Sequence, residues 1–252
     1  MSNLSNSVSI ILPTYNEAGN IADLILCCER EIKSYGVKLI EIIVVDDDSP
    51  DLTWQIAEQV NPKFSTLKVI RRLENRGLTN SIQAGIDASS HQYIGWMDCD
   101  FSHPPNKIPQ LIYMLDHGFD VAVNSRYTIG GGEERSGKGG AIQLFLSQAL
   151  NWSIRFLLFP KFSDYTSGFI LVKRNVLLRF KLKGDYGEYF LDLIYRMLCS
   201  KDIKICEMPY IADPRNSGES KTGNTLRDYI RRGRKYFLTA LRLKFTGLHG
   251  RQ

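Results

Sequence analysis

Apolar, β-branched runs alternate along this chain with segments whose apolar residues recur at helical spacing, and that alternation restricts the fold more than any other feature. Val8 to Leu12, Ile40 to Val45, Leu67 to Ile70, Tyr93 to Met97 and Phe119 to Val123 read as strands. Ile21, Leu24, Ile25, Cys28 and Ile32, and later Ile82 and Ile86, mark helices between them. Strands apolar on both faces must be covered on both, so the pattern predicts an α/β fold, a mostly parallel sheet flanked by helices. In such sheets the ligand crevice lies beyond the strand C-termini, and the residues that follow each strand become the candidates for chemistry.

Those residues are acidic or hydrogen-bonding. The first strand runs into Pro13-Thr14-Tyr15-Asn16-Glu17, the second into Asp46-Asp47-Asp48-Ser49-Pro50-Asp51, and the fourth into Asp98-Cys99-Asp100-Phe101-Ser102-His103-Pro104-Pro105. A D-x-D pair in a Pro-stopped loop puts two carboxylates where hard cations and their phosphate ligands bind. Cys99 faces the other way by strand alternation and cannot join them as a side chain. Three such loops at one edge repel one another unless a cation or a donor-rich ligand fills the gap. The plain alternatives are a solvated turn with an Asx cap for a helix starting near Leu52, and a first helical turn opened by Asn16 and Glu17. No G-x-G-x-x-G follows the first strand, which argues against a Rossmann dehydrogenase.

The 252 residues, 43% hydrophobic, suffice for one large domain with a single core. Lys and Arg number 32 against 27 Asp and Glu, but residues 226–252 hold eight of the cations and one acid, which leaves 24 against 26 elsewhere. The basicity belongs to the tail, and nothing points to a nucleic-acid partner. Five cysteines without C-x-x-C spacing argue against a disulfide framework or a zinc site, so a reducing cytoplasm is expected. The N-terminus is polar and no run approaches the roughly 20 apolar residues of a membrane span, so membrane contact is expected to be peripheral. The expected division is one domain over residues 1–223 and a tail over 224–252. In the tail, Leu226, Ile230, Phe237, Leu241 and Phe245 fall mostly four apart while Arg227, Arg231, Arg232, Arg234, Lys235, Arg242 and Lys244 crowd the other positions. That is a basic amphipathic helix suited to an anionic bilayer. The stretch from Ala141 to Phe159 is a second apolar helix that could pack beside it. Alternatively, both helices cover the sheet or form a dimer interface.

Pro13-Thr14-Tyr15-Asn16-Glu17, Val44 to Asp51, Asn75-Arg76-Gly77-Leu78, Asp98 to Pro105 and Ser125-Arg126-Tyr127 together resemble the ordered motif set of family 2 glycosyltransferases. Asp164-Tyr165-Thr166-Ser167-Gly168-Phe169 and Pro214 to Lys221 extend the likeness toward dolichyl- and polyprenyl-phosphate mannose synthases. The resemblance implies the GT-A nucleotide-diphospho-sugar transferase fold and a divalent metal, Mg²⁺ or Mn²⁺. It implies that Pro13, Tyr15, Glu17, Val45 and Asp47 line the base and ribose pocket. Asp98 and Asp100 would hold the metal on the donor diphosphate, with Cys99 contributing backbone. Arg126, Arg215 and Lys221 would face phosphates and, with Asp100, carry catalysis. The expected reaction is an inverting transfer of a hexose, mannose from GDP-mannose, to a polyprenyl or dolichyl monophosphate. It would take place on the cytoplasmic face of a membrane, where a membrane-embedded partner protein stays open.

The chemistry fits these residue types. Expelling a nucleoside diphosphate builds charge that a metal, Arg and Lys stabilise. A lipid monophosphate, with a second pKa of about 6, is already a dianionic nucleophile and needs no base. This matters because no catalytic histidine is apparent, His103 preceding a Pro pair and His91, His117 and His249 lying outside the motifs. The alternatives are a UDP-glucose or UDP-N-acetylglucosamine donor, a saccharide hydroxyl acceptor, or an idle nucleotide-sugar-binding subunit. A hydroxyl acceptor requires a base, for which Asp192 is the candidate, although Asp192 and Arg196 at i and i+4 otherwise read as a surface pair. Arg126 alternatively pairs with Asp98 or Asp100, and Arg215 and Lys221 alternatively are solvated loop charges. Three positions depart from the family pattern: Gln143 replaces an expected Arg, Ser102 stands where some relatives have Gln, and the loop from Gly130 to Arg135 is unusually charged, with Arg135 a substitute cation.

Overall fold

A computed structural model describes residues 7–133, 140–213 and 226–246, with backbone alone at 140–143 and 226–232. In chain order the elements are β1 (Ser7–Thr14), α1 (Ile21–Ser34), β2 (Leu39–Asp46), α2 (Thr53–Gln59), β3 (Ser65–Arg71), α3 (Leu78–Ala88) and β4 (Tyr93–Trp96). A short 3₁₀ turn (Pro105–Lys107) leads into α4 (Ile108–Asp116), followed by β5 (Val121–Ser125), β6 (Gly132–Glu133), α5 (Gly140–Leu157), β7 (Ile170–Lys173) and α6 (Arg174–Leu177). The remainder is α7 (Glu188–Leu198), β8 (Ile205–Pro209), β9 (Ile211–Ala212) and α8 (Leu226–Phe245).

Seven strands form one sheet in the order β3-β2-β1-β4-β7-β5-β8, and β7 alone runs against its neighbours. β6 and β9 pair separately and in parallel. The predicted strands are present with ends moved by a few residues; the antiparallel β7 was not foreseen. Strand alternation sends Ile10, Leu12, Ile42 and Val44 to one face, covered by α1, α2 and α4. Ile11, Ile43, Val45, Ile94 and Trp96 go to the other, which holds the buried side chains of α3, α5, α7 and α8. Burying both faces makes the sheet the centre of two cores. At Gly95 of β4 an added Cβ would lie 2.5 Å from the Ile170 carbonyl oxygen, so only glycine lets β7 approach there.

β1 to β4 are parallel and deliver their C-terminal ends to one edge, with Thr14 opposite Asp46 and Ile11 opposite Trp96. The other end of β2 is fixed by buried Glu41, whose carboxylate accepts from Ser9 Oγ (2.6 Å) and from the Ser90 N–H and Oγ (3.1 and 3.0 Å) and pairs with Lys68 Nζ (2.6 Å). Burial pushes the Glu41 carboxyl up, but Lys68 and the Ser donors outweigh it and hold it below the ordinary value. A depressed carboxyl contributes stability above its unfolded pKa and loses it as pH falls through the folded one. Urea midpoints should therefore drop on acidification below about pH 4, the ordinary Glu value, and Glu41→Gln should flatten part of that drop while lowering the midpoint at pH 7.

Candidate active site

Among the described residues, five non-glycine residues adopt positive φ: Asn16, Asp48, Leu52, Asn75 and Phe101. All five lie in loops that leave the C-terminal ends of β1, β2, β3 and β4. Such conformations cost about 1–3 kcal/mol each and cluster where a ligand site has to be shaped. Here they gather the motif loops on one edge.

β4 stops at Trp96, so Asp98 and Asp100 stand just past the sheet. The Asp98 carboxylate is 54% exposed and meets His103 Nε2 at 4.0 Å. Its backbone N–H donates to His103 Nδ1 at 3.0 Å. That bond assigns the proton of a neutral His103 to Nε2, since Nδ1 must be bare to accept. Burial keeps the imidazole below its ordinary pKa against the pull of Asp98 and Asp100, and its ring stacks on Phe169 at 4.9 Å. His103, inside the Asp98 to Pro105 motif but given no role by it, thus sets the backbone of the D-x-D. Asp100 Oδ1 accepts from Ser102 N–H (3.0 Å) and Oγ (2.6 Å), with Phe101 left-handed between them. Cys99 is buried and its thiol donates to Pro13 O at 3.4 Å, which ties β4 to β1. Among the described residues no three His, Cys, Asp or Glu side chains converge to hold a metal. A cation on Asp98 and Asp100 would complete its shell with ligand oxygens, the coordination Mg²⁺ prefers.

Arg126 follows β5 and is held by Asp164, from the loop before β7. Its Nε and Nη2 donate to the two Asp164 oxygens at 2.9 Å each, Nη2 also reaches Thr166 Oγ1 at 2.7 Å, and its backbone N–H caps the same carboxylate at 3.0 Å. Burial opposes the guanidinium charge, but Asp164 overrides it and raises the Arg126 pKa well above normal. Asp164 is fully buried too, and Arg126 outweighs that burial to keep its pKa low. Glu207 on β8 accepts the N–H groups of Ser163 (2.7 Å) and Asp164 (3.0 Å) and so fixes the loop. The alternative pairing of Arg126 with Asp98 or Asp100 is not formed. Nη1 lies outside that fork, with Glu133 at 3.8 Å.

On the nucleotide side, Asp47 accepts from Arg72 Nη1 (2.7 Å), Ser81 Oγ (2.8 Å) and Gly77 N–H (2.6 Å). Asp46 binds Thr14 and Ser49, Asp48 pairs with Arg71 and Arg76, and Asp51 caps α2 through Thr53. The capping expected of that acidic run is therefore present. Glu17 is buried, bound by Asn20 Nδ2 at 2.8 Å, and precedes α1 rather than opening it. Pro13 is partly exposed and Tyr15 exposed at the rim. Val45 is a correction: its side chain is fully buried in the core with Ile11 and Ile43, so it cannot line a pocket, and at most its backbone can.

Asp192 is a second correction. Its side chain is 3% exposed and held by Arg196 of α7 (2.6 Å) and by the exposed Arg242 of α8 (3.2 Å), so a buried carboxylate joins the tail helix to the domain where a surface pair was expected. α8 packs on α5 and α7, burying Ala240 and Leu243 and partly burying Tyr236. Phe237, Leu238 and Phe245 stay exposed beside Phe145, Trp152 and Phe156 of α5. Trp152, Phe156 and Phe237 help line an apolar groove of about 540 Å³. No described helix is long and apolar enough to cross a membrane. Arg215, Lys221, Arg135 and the side chain of Gln143 lie outside the described residues. Sequence reading gave no role to His103, Asp164, Glu133 or Glu207. Asp164 and His103 both sat within quoted motifs and were the two with a signal to follow.

Residues 9–182 match the model of glycosyl transferase family 2. The chain is 33% identical over 228 residues to a dolichol-phosphate mannosyltransferase of Pyrococcus furiosus, which covers 89% of this chain and 62% of that protein. It is 31% identical over 229 residues to a polyprenol monophosphomannose synthase of Mycolicibacterium smegmatis, covering 87% and 82%. The chain thus spans less than two thirds of the length of the first relative. A crystal structure of glucosyl-3-phosphoglycerate synthase from Mycobacterium tuberculosis with Mn²⁺, UDP-glucose and phosphoglyceric acid superposes with a TM-score of 0.70 at 17% identity, over 95% of this chain and 80% of that one. A complex of that synthase with Mg²⁺ and UDP gives 0.67 at 16%, over 94% and 79%. That likeness fixes the fold, the GT-A fold expected from the motifs.

Breaking a buried ion pair costs about 3–5 kcal/mol. Asp164→Ala should lower the urea unfolding free energy by that order, while Thr166→Ala, which removes a hydroxyl that accepts from Arg126 and donates to Asp164 but leaves the ion pair in place, should cost less, about 1–3 kcal/mol.

Proposed function

The chain belongs to glycosyl transferase family 2, and on that premise we propose that it moves a hexose, mannose from GDP-mannose, onto a polyprenyl or dolichyl monophosphate with inversion at the anomeric carbon. The observation that carries this reading is the exposed Asp98 carboxylate beside Asp100 at the sheet edge, with the Arg126 guanidinium fixed nearby by Asp164. Asp98 and Asp100 would hold Mg²⁺ or Mn²⁺, which supplies positive charge to the departing diphosphate. His103 and Ser102 set the two carboxylates before any ligand arrives, so little reorganisation is spent at the reacting centre. Arg126 is oriented by a bidentate pair and presents its remaining nitrogen. Arg215 and Lys221 are assigned to phosphates by their motif.

A phosphate acceptor is favoured over a sugar hydroxyl by the fate of Asp192. A hydroxyl would need a general base, and the candidate is buried between two guanidiniums that hold it as an ion-pair partner. A phosphate dianion attacks without one. The exposed aromatic residues of α5 and α8, with basic Arg234, Lys235, Arg242 and Lys244 on the same tail helix, supply a surface that would lie on an anionic bilayer and bring the lipid to the cleft.

Turnover should be seen with GDP-mannose, a short-chain prenyl phosphate and Mn²⁺; transfer from UDP-glucose or UDP-N-acetylglucosamine instead would replace the donor assignment. Asp100→Ala should abolish metal-dependent nucleotide binding and reduce turnover by at least about a thousandfold, on the scale of a lost electrostatic stabiliser. Metal-independent activity near wild type would refute the site. Because α8 is part of the core, membrane docking is best read from point substitutions: Trp152→Ser with Phe156→Ser should reduce sedimentation with anionic liposomes while leaving the melting temperature nearly unchanged.

A further inference from the structure

Tyr210 directly follows β8 and is 1% exposed, yet its hydroxyl has no hydrogen-bond partner among the described residues. Buried tyrosine hydroxyls ordinarily find one, and a phenylalanine would pack equally well without the cost of a stranded polar group. The ring is not free to turn toward another partner. Its own backbone is tied on both sides, the N–H donating to Ser125 O (3.2 Å) and the C=O accepting from Gly132 N–H (3.0 Å). His103 and Phe169 meet the ring edge-on, with centroids 5.7 and 5.8 Å away and planes at 80° and 86°. The Tyr210 backbone bond to Ser125, the residue before Arg126, and its ring contact with His103, which binds the Asp98 N–H, place it between the D-x-D and the Arg126 fork. Arg126, Asp164, Asp98 and Glu133 all act electrostatically on its phenol. Burial raises its pKa and keeps it protonated, a hydrogen-bond donor.

Arg126 brings a second donor to the same enclosure. Its Nε and Nη2 are used by Asp164 and Thr166, whereas Nη1 meets Glu133 at 3.8 Å, beyond hydrogen-bond range. An O–H and an N–H, carried by residues that follow different strands, make a donor pair suited to an anionic oxygen.

We propose that Tyr210 is a phosphoryl-oxygen donor of this site, its hydroxyl acting with Arg126 Nη1 on a phosphate bound beside Asp98. The assignment deepens the transferase reading and rests on it for the identity of the phosphate, which is either the diphosphate of the sugar donor or the monophosphate of the acceptor. His103 then has a double use, since the same ring that sets the Asp98 backbone also braces the Tyr210 phenol.

Tyr210→Phe removes one oxygen and keeps the ring, so it should fold and melt a few degrees higher than wild type. Calorimetric titration with GDP and Mn²⁺, and separately with citronellyl phosphate, should show a roughly ten- to hundredfold loss of affinity in one arm, the size expected for a hydrogen bond to a charged group. Loss in the GDP arm places the hydroxyl on the diphosphate, and loss in the prenyl phosphate arm places it on the acceptor. Wild-type affinity in both arms, with turnover also unchanged, would overturn the proposal and leave Tyr210 an inert buried hydroxyl. A wild-type protein that binds these probes but transfers no sugar would sink the transferase reading alone, because the two affinity arms still decide Tyr210.

Discussion

The buried pair of Arg126 and Asp164 is the contact around which this edge of the molecule is organised. Removing two full charges from water is costly, and the pair tolerates it because the guanidinium fork meets the carboxylate at two points while Thr166 and a backbone N–H satisfy remaining valences. Asp164 can be there at all because Glu207, from a different strand, takes the N–H groups of its loop. Three segments far apart in the chain thus converge on one cation. Without it, Asp98, Asp100, Glu133 and Asp164 would crowd one edge with less positive charge among them.

The same edge is held open by strain and closed by aromatic packing. Positive-φ residues turn each loop sharply at its strand end, and the His103, Phe169 and Tyr210 rings fill the space beneath the D-x-D. A site built in this way is rigid before a ligand arrives, which is where electrostatic stabilisation of a leaving diphosphate is most effective. The tail helix belongs to this construction. An added Cβ at Gly187 would fall 1.8 Å from the Tyr236 hydroxyl oxygen, so α8 is seated against the start of α7, and the Arg242 pair with Asp192 locks it a turn or two further on. The apolar surface assigned to the bilayer and the candidate site at the sheet edge are therefore parts of one packed body.

A feature of this protein is legible in the amino-acid sequence where its cause is local. Strand alternation marked β1 to β4 because a sheet covered on both faces needs apolar residues at nearly every position. The D-x-D was visible for the same kind of reason, two carboxylates and a Pro stop within a few residues. Asp192 and Arg196 were misjudged because the i, i+4 spacing is identical on a wet and a dry helix face, and the arginine that decides the matter comes from fifty residues away. Val45 was misjudged because its place in the motif says nothing about which face of the sheet it turns to. In the tail, four-residue spacing picked out Phe237 and Phe245, but the face that packs is the one carrying Tyr236, Ala240 and Leu243.

By itself, the sequence determined a parallel α/β layering, the loops that carry the chemistry, the family and the acidic pair at its centre, since each is set by periodicity or by neighbours a few bonds apart. Tertiary structure alone decided which cation answers Asp164, which ring sets Asp98, that Asp192 is buried in ion pairs with Arg196 and Arg242 and that the Tyr210 hydroxyl has no partner among the described residues. Those outcomes turn on burial and on distances between segments that the chain order leaves far apart, and desolvation, the term that fixes the sign of each, exists only once the segments have closed on one another.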